Sequence, residues 1–439
     1  MDGLQALFER AATSVAEAGV PPSDAAELLS LLGYLDGDAM AARHRVSLLR
    51  AAARLRRLFR IEAPDAPGLC FFGGEAETPG AGSAIASFAG SGLDWRRAFE
   101  SCVGEAIEYL SQIEGSDTDR DVGSFVERAV LLDAPAERFI GALLDHCGVS
   151  RSRPIAWIPA ARLHGGGGAP MPLDLCVRRT AEAQDFSAPL RLSVGCAAGV
   201  SATGATLHAL LELVERDATA QWWRGGVRGR LLPLEWAASR DAALQMERLR
   251  GTASSRRTWL LDITTDLGVP VVAAVSARHD GYGFAAGFAC RLTMAAAATA
   301  ALFELCQMEL GLHLAQSKLR ENGESALGTG DQAHLRRARA IDTSICKLLH
   351  PGPPAGLAHD DEGADGDEAL LSRLVARLVA QGIESYAIDL TRPEFGVPVV
   401  RVIAPALQLD PCAIVSVRLR DAMMRCRDLG AEPAGVALF

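Results

Sequence analysis

The sequence predicts a mixed α/β fold with an internally duplicated strand–turn–strand unit, preceded by a helical N-terminal subdomain. Three observations support this. Residues 1–62 have only helical patterns, short β-prone runs alternate with helical runs from residue 63 onward, and one strand–turn–strand pattern occurs twice. With 439 residues, 49% of them hydrophobic, the chain is long enough for one large domain or for two to three ordinary ones.

The N-terminal segment, residues 1–62, is predicted to form helices only. Ser23 is a candidate N-cap before an apolar run, and residues 41–60 place leucines such as Leu48 and Leu55 among many arginines. A solvated basic helix face explains this pattern. A docking surface for a partner protein explains it as well, because the basic stripe stands out in a chain that is acidic overall.

Residues 63–439 are predicted to form one catalytic domain in which strands alternate with helices. The acidic, Gly/Pro-rich residues 351–369 interrupt this pattern and are predicted to be a mobile loop.

A sequence pattern that occurs twice supports a duplication inside this domain. The run LLDITTDLGVPVVAAV at 260–275 resembles AIDLTRPEFGVPVVRVIAP at 387–405. Each contains D-[IL]-T, a turn with glycine and proline, and a second apolar strand that contains P-V-V. A common hairpin is the simpler explanation, but agreement at both ends of the turn favours a duplicated unit.

Composition argues against several classes of function. The net charge of -10 opposes general nucleic-acid binding, and 5% aromatic content opposes a stacking surface for single strands. The ten cysteines form no C-x-x-C pair, as is typical of buried thiols in a reducing compartment. The sequence shows no signal-peptide core and no run of about 18 apolar residues. We therefore expect a cytoplasmic protein that binds neither nucleic acid nor membrane.

Three predicted helices carry paired polar side chains three residues apart. The pairs are Glu105 with Glu108, Glu212 with Glu215, and Glu304 with Gln307. At about 100° per residue, such pairs lie on one helix face. A single pair usually marks a solvated surface. Three pairs, each on an otherwise apolar helix, indicate one acidic site.

Crowded carboxylates need a divalent cation between them. Mg²⁺ favours a few carboxylates together with phosphate oxygens and water, so the pattern predicts a polyphosphate bridged through Mg²⁺. The sequence has no GxxxxGK[ST] loop, and ATP would therefore be held by metal ions and acidic helices. Arg216 lies on the acidic face, whereas Asp217 lies toward the apolar face and either needs a buried partner or lies at a domain seam.

The order of these motifs resembles that of the YcaO-domain family over roughly residues 85–410. The resemblance rests on GEAIE at 104–108, on SVGCAAGVSATGATLHALLELVERDA at 193–218, on TTDLGVPVV, on the helix that contains ELCQ, and on DLTRPEFGVPVVRV. The E-x-x-E-R-D-A block is the most specific part. The resemblance implies a YcaO-like fold.

The resemblance also implies an enzyme that uses ATP and Mg²⁺ to act on backbone amides of a ribosomally made precursor peptide. A Cys, Ser or Thr side chain attacks a backbone carbonyl, the oxyanion is phosphorylated, and loss of phosphate gives a thiazoline or oxazoline. With a sulfide donor, the product is a thioamide. A third hypothesis is a non-catalytic, peptide-binding scaffold whose nucleotide site is degenerate.

Residue roles follow from the same resemblance. It implies that Glu105, Glu108, Glu212 and Glu215 bind the metal. The implied nucleotide-binding residues are Ser193, Glu212, Glu215, Arg216, Glu304 and Gln307. Arg216 is also the catalytic candidate because it would contact phosphate, and Ser193 is expected in the strand before the A-A-G turn.

The sequence departs from the family's pattern in two places. Glu309 stands where the family commonly has an arginine, and Arg392 or Arg401 is a candidate replacement. The chain ends in GAEPAGVALF and not in the proline-rich tail of many azoline-forming members. The missing tail weakens the azoline hypothesis and leaves thioamide formation open. It also leaves open a C-terminus that enters the site through Phe439.

The resemblance further implies partner proteins. Azoline formation implies an E1-like, leader-peptide-binding protein supplied in trans, with a flavin dehydrogenase in the same complex. Thioamide formation implies a TfuA-like protein instead. A homodimer stays open.

Overall fold

The structure, a computed structural model, describes residues 39–78, 84–115, 118–232, 246–250, 255–350, 352, 366–428 and 435–438. The predicted helices before residue 39, most of the predicted loop at 351–369, and Phe439 lie outside these ranges.

The strands of the described residues are β1 (Arg57–Ile61), β2 (Cys70–Thr78), β3 (Ala84–Gly92), β4 (Asp121–Ser124), β5 (Pro154–Arg162), β6 (Gly168–Pro172), β7 (Cys196–Ala198), β8 (Arg230–Leu231), β9 (Arg256–Asp262), β10 (Val271–Arg278), β11 (Ala285–Cys290), β12 (Tyr386–Asp389) and β13 (Val399–Ile403). The labelled helices are α1 (Ala39–Ala52), α2 (Trp95–Ser111), α3 (Phe125–Arg128), α4 (Ala134–His146), α5 (Ala202–Trp223), α6 (Met294–Asn322), α7 (Thr329–Ala340), α8 (Asp367–Ala380) and α9 (Val417–Asp428).

The chain divides into two compact units. The first unit comprises Met1–Glu62, Cys70–Leu210 and Gly366–Pro405, and the second comprises Ala63–Leu69, Leu211–Asp365 and Ala406–Phe439. The boundary between the units falls inside α5. The assignment of residues 1–62 and 63–439 to separate functional domains stays a prediction.

The sheets confirm the mixed α/β class. The first unit contains a three-stranded sheet in the order β1-β2-β3 and a larger sheet in the order β4-β5-β12-β13-β7, with β6 beside β5. The second unit contains a sheet in the order β11-β10-β9-β8. The paired strands are antiparallel throughout these sheets.

One expectation for the N-terminal segment is wrong. Residues 39–52 are helical as predicted, but Arg57–Ile61 forms β1, which pairs with Phe71–Glu75 of β2. The arginine-rich sequence hides this strand, because its side chains are mostly exposed or half-buried and its pairing partner lies beyond the segment itself.

Each unit contains a β-hairpin that leads directly into a long helix. In the first unit β2 and β3 precede α2, and in the second unit β10 and β11 precede α6. Both helices begin at a side-chain N-cap: Asp94 accepts the N–H of Arg97 at 2.9 Å, and Thr293 accepts that of Ala296 at 3.2 Å. These caps satisfy backbone donors that the first helical turn leaves free.

A glycine lets each helix lie directly on the last strand of its hairpin. A Cβ atom at Gly90 would stand 2.1 Å from the backbone nitrogen of Cys102 in α2. At Gly287 it would stand 2.1 Å from that of Leu305 in α6. Since these neighbours are helix backbone atoms, they cannot rotate away, and only glycine permits the approach.

The predicted duplication of the strand–turn–strand unit is confirmed in hydrogen-bond detail. In the first copy Thr264 N–H donates to Asp262 at 2.9 Å, and Val271 N–H donates to Thr264 Oγ1 at 3.1 Å. The second copy repeats both bonds, at 2.8 and 3.1 Å, with Asp389, Thr391 and Val399. The D-x-T motif is therefore a turn device, in which a short polar side chain replaces missing backbone partners.

Among the described residues one helix, α6, is long and apolar enough by length and composition alone to cross a membrane. Half of its most apolar window is buried inside the protein. Ala297, Ala301 and Leu305 pack on β10 and β11, as expected of a core helix. The length and composition of α6 are therefore only weak evidence for a membrane span.

Substituting Gly90 with alanine tests the close approach of β3 and α2. We expect Gly90→Ala to lower the free energy of unfolding by about 3 kcal/mol, because the new methyl group overlaps the α2 backbone. Gly104→Ala in the same helix is the control, since a Cβ there meets nothing within 4 Å, and it should stabilise the protein by up to about 1 kcal/mol. Urea denaturation measures both, and equal stabilities would contradict the packing described.

Candidate functional site

In the second unit, two glutamates bind the free edge of β11. Sheet order places β11 at an edge, so alternate backbone N–H groups lack a strand partner. Phe288 N–H donates to Glu304 Oε2 at 3.0 Å, and Cys290 N–H donates to Glu215 Oε2 at 3.2 Å. Because side chains and N–H groups alternate along a strand, these are successive donors on one edge. Helices α5 and α6 thus bring Glu215 and Glu304 to the same strand.

In the first unit, α2 makes the same contact with the edges of two sheets. Ala89 N–H of β3 donates to Glu105 Oε2 at 2.9 Å, and Ala198 N–H of β7 donates to Glu108 Oε1 at 2.8 Å. Both strands lie at the edges of their sheets. Each of these glutamates is therefore fixed by a main-chain donor.

The two hairpin–helix pairs carry their polar residues at equivalent positions. Glu105 follows its edge-strand donor by sixteen residues, and Glu304 follows its own by sixteen as well. Three residues later, Gln307 stands in α6 where Glu108 stands in α2. Each unit therefore contains one copy of the same arrangement, with a carboxylate at this position in the first unit and an amide in the second.

Opposite charges accompany the glutamates of the second unit. We call Glu212, Glu215, Arg216 and Glu304 the second-unit cluster. Arg216 Nη2 lies 3.2 Å from Glu212 Oε1, and Arg216 Nε lies 3.9 Å from Glu215 Oε1. Arg291, just before α6, also interacts electrostatically with Glu215 and Glu304.

The surroundings of the second-unit cluster favour the protonated forms of Glu215 and Glu304. Burial, followed by repulsion from Glu304, raises the pKa of Glu215 to about 8. Burial also raises the pKa of Glu304, against the opposing effect of Arg216. Since Arg216 and Arg291 do not outweigh desolvation, the cluster has room for further positive charge.

The pKa of Glu105 in the first unit is raised as well. Desolvation raises the pKa of its carboxyl to about 7, although the hydrogen bond from Ala89 N–H acts in the opposite direction. A carboxylate that binds one N–H and remains destabilised in its ionised form is suited to a cation.

The donor set fits Mg²⁺ that is shared with phosphate oxygens. Within the described ranges, no three His, Cys, Asp or Glu side chains are arranged to hold a metal ion by themselves. Mg²⁺ usually takes one or two carboxylates and completes its shell with water and phosphate. Paired carboxylates of this kind suit Mg²⁺ that is shared with the phosphate oxygens of a nucleotide. The metal-binding roles of Glu105, Glu108, Glu212 and Glu215 stay predictions.

Ser193 lies in the first unit, in a turn and not in a strand as expected. Residues 192–195 form this turn, and β7 begins only at Cys196. Buried Arg401 holds the turn, because its Nη1 donates to the carbonyls of Leu192 and, at 3.1 Å, Val194. Arg401 therefore anchors the residues on either side of Ser193. The nucleotide-binding roles of Ser193 and of half-buried Gln307 stay predictions.

Asp217 has the buried partner that its place in the sequence required. Arg418 Nε lies 3.0 Å from Asp217 Oδ2, and the N–H of Gln408 donates to Asp217 Oδ1 at 2.9 Å. Gln221 donates a further hydrogen bond at 2.8 Å. Asp217 thus joins α5 to the C-terminal part of the second unit.

Glu309 is buried in an ion cluster of its own. Arg250 binds both of its oxygens, at 2.7 and 3.0 Å, and Arg256 Nε lies 3.0 Å from Oε1. The side chain is only 2% exposed. The glutamate at this position therefore serves the packing of α6 on its sheet, and its charge is satisfied there.

Sequence reasoning missed several residues that complete these sites. Arg291 had no motif around it, although its place before the N-cap of an acidic helix was a usable signal. Arg250, Arg256 and Arg418 could not be identified, because they meet their acidic partners across long sequence separations.

Comparison with known proteins relates the chain to one family. Residues 89–408 match the family model described as YcaO cyclodehydratase, ATP- and Mg²⁺-binding. The chain is also 28% identical over 349 residues to a protein of Rhizobium leguminosarum bv. trifolii described as an uncharacterized protein in the tfuA 3′ region. That match covers 74% of this chain and 78% of the relative.

Solved structures share the fold. A heterocyclase in complex with substrate and cofactor aligns with a TM-score of 0.70 at 22% identity, over 91% of this chain and 56% of that one. This chain thus spans little more than half the length of that heterocyclase. YcaO from Methanopyrus kandleri, bound with AMPPCP and Mg²⁺, aligns with a TM-score of 0.61 at 18% identity, over 87% of this chain and 91% of that one. The predicted YcaO-like fold is confirmed.

The raised pKa of Glu215 predicts a loss of stability as pH rises. The native state holds a proton that the unfolded chain releases near pH 4.5, so stability declines from there up to about pH 8. Chemical denaturation of the cation-free protein at several pH values should show this decline. Glu215→Gln should make it shallower, and saturating Mg²⁺ with ATP should do the same. Exposed Glu321→Gln on α6 is the control and should behave as wild type. An equal slope in wild type and Glu215→Gln would contradict the account.

Proposed function

The chain belongs to the YcaO family, which binds ATP and Mg²⁺, and we propose that it uses ATP to activate a backbone amide of a ribosomally made precursor peptide. The observation that carries this proposal is the second-unit cluster. Glu215 and Glu304 are fixed by strand-edge amides, and their raised pKa values leave both in need of positive charge. Mg²⁺ ions shared with the phosphates of ATP would supply that charge to the carboxylates.

The residues of the second-unit cluster suit the transfer of a phosphoryl group. Glu212 and Glu215 are proposed to hold Mg²⁺, which neutralises phosphate charge when bound. Arg216 is held between these two carboxylates and is proposed to contact the transferred phosphoryl group. Arg291 is proposed as the additional arginine at the phosphates, in place of the one that Glu309 replaces.

The proposed reaction is cyclodehydration. A Cys, Ser or Thr side chain of the peptide adds to the preceding backbone carbonyl and forms a five-membered ring. The attacking thiol or hydroxyl gives up its proton. The former carbonyl oxygen takes the γ-phosphoryl group of ATP, which releases ADP, and then leaves as phosphate while the amide nitrogen loses its proton. The peptide thus loses one water, whose oxygen departs in phosphate. The family model's description as a cyclodehydratase supports this product.

Isosteric variants of the second-unit cluster test the proposal. With the precursor peptide and its partner protein present, Glu215→Gln and Glu212→Gln should each lower ATP turnover by about a hundredfold or more, because charge stabilisation at the phosphates is lost. Glu321→Gln is the control. ATP turnover and peptide mass are measured in the same samples. Unchanged turnover and unchanged peptide modification in both variants would refute the site.

Backbone thioamidation is a second candidate. This candidate is suggested by the relative that is described as a protein in the tfuA 3′ region. A TfuA-like protein is the partner expected for sulfur transfer. Here the activated amide is attacked by a sulfide donor, and sulfur replaces the oxygen that leaves with phosphate.

High-resolution mass spectrometry of the peptide separates the two products. Cyclodehydration removes the mass of one water, whereas thioamidation adds the mass difference between sulfur and oxygen. Incubation with an E1-like, leader-binding partner should favour the first product, and incubation with a TfuA-like partner and a sulfide source should favour the second.

The scaffold hypothesis retains little support. Its motive was Glu309 in place of an arginine, and Glu309 is occupied by Arg250 and Arg256 in the core of the second unit. ATP turnover by the complex would eliminate it. An E1-like protein supplied in trans, a flavin dehydrogenase and a TfuA-like protein remain proposed partners.

A further inference from the structure

A cavity of about 270 Å³ opens in the first unit, beside β5. Strand β5 pairs with β4 from Pro154 to Trp157, and β12 pairs with β5 only at Ala161 and Arg162. Residues 158–160 of β5 therefore pair with neither β4 nor β12. The cavity occupies this gap. Pro159 lines the gap and lacks an N–H group, so the gap exposes fewer donors.

Ser111 provides evidence that the cavity binds a ligand. It is the last residue of α2, lines the cavity and is 2% exposed. Its hydroxyl oxygen is buried and has no hydrogen-bond partner within the described part of the chain. A buried polar group without a partner is costly, and a ligand that bonds to this hydroxyl removes the cost.

The charges around the cavity select a cation. Two carboxylates, those of Asp119 and Asp389, line it, whereas Arg392 is the basic residue among its lining. The lining therefore keeps a net negative charge. Because Ser111 ends α2, the negative end of that helix dipole adds to the effect.

Apart from Thr118 and Thr391, the remaining lining is apolar and suits an alkyl chain. Ile158 and Pro159 come from β5, Leu390 follows β12, and buried Val177 completes the wall. An ammonium group on a flexible alkyl stem matches this combination, since the stem packs on apolar surface while the charged head meets oxygen atoms.

We infer that this cavity binds the side chain of a lysine in the peptide substrate. The inference rests on the proposed function for the identity of the substrate. Ser111 follows Glu108 by one helical turn on α2, so a peptide lysine bound here would be held close to a predicted metal-binding glutamate. The cavity would thereby select peptides that carry a lysine.

Binding of small probes to the full-length protein, without nucleotide, tests the inference. N-acetyl-lysine N-methylamide should bind with about millimolar affinity in calorimetry or NMR titration. The isosteric norleucine compound, which lacks the ammonium group, should not bind measurably. Because this readout needs no ATP, it remains valid if the proposed reaction is wrong.

Variants assign the binding to the cavity. Asp119→Asn should weaken binding of the lysine probe about tenfold and Ser111→Ala about threefold, whereas Arg392→Gln should strengthen it about threefold by removing a competing cation. Asp280→Asn, an exposed carboxylate of the second unit, is the control. Circular dichroism verifies that each variant is folded.

Three results would overturn the inference. They are equal binding of the norleucine compound, an unchanged affinity in both Asp119→Asn and Arg392→Gln, and tighter binding of free lysine than of the capped probe. The last result would assign the cavity to a free amino acid and not to a peptide.

Discussion

Backbone N–H groups at the edges of strands determine where four glutamates lie, two in each unit. Four carboxylates each accept one such donor, from Ala89, Ala198, Phe288 and Cys290. An edge strand needs partners for its outward donors, and a helix laid across the edge can provide them through side chains. One N–H per carboxylate fixes its position but does not replace the water lost on burial. This leaves Glu215 and Glu304 with raised pKa values and makes a cation the natural complement.

The repeated hairpin–helix explains why this arrangement occurs in both units. Gly90 and Gly287 let α2 and α6 lie on their strands, and that close packing brings the helix glutamates within reach of the edge amides. The two copies differ at one position, where Glu108 corresponds to Gln307. An amide there contributes a donor and adds no negative charge beside Glu304. The two copies thus share one backbone geometry, with a carboxylate at this position in the first unit and an amide in the second.

Local sequence patterns predicted the parts of the site that depend on local geometry. The i, i+3 spacing placed Glu212 and Glu215 on one helix face, and the repeated D-x-T predicted the duplicated turn. Contacts between distant segments were beyond such patterns. The pairing of Asp217 with Arg418 joins residues 201 positions apart, and Ser193 lies in a turn because Arg401 from a remote strand binds its neighbours. The same reason applies to β1, whose partner strand is not visible in its own sequence.

Proton release on nucleotide binding reports whether the second-unit cluster is protonated before Mg²⁺ binds. If the second-unit cluster holds protons near neutral pH, binding of Mg²⁺ with a non-hydrolysable ATP analogue must displace them. Calorimetric titration near pH 7, in buffers with different ionisation enthalpies, measures the number released. We predict net proton release from the wild-type protein and a smaller release from Glu215→Gln. Tight Mg²⁺-dependent binding without release, or with equal release from the two proteins, would contradict it.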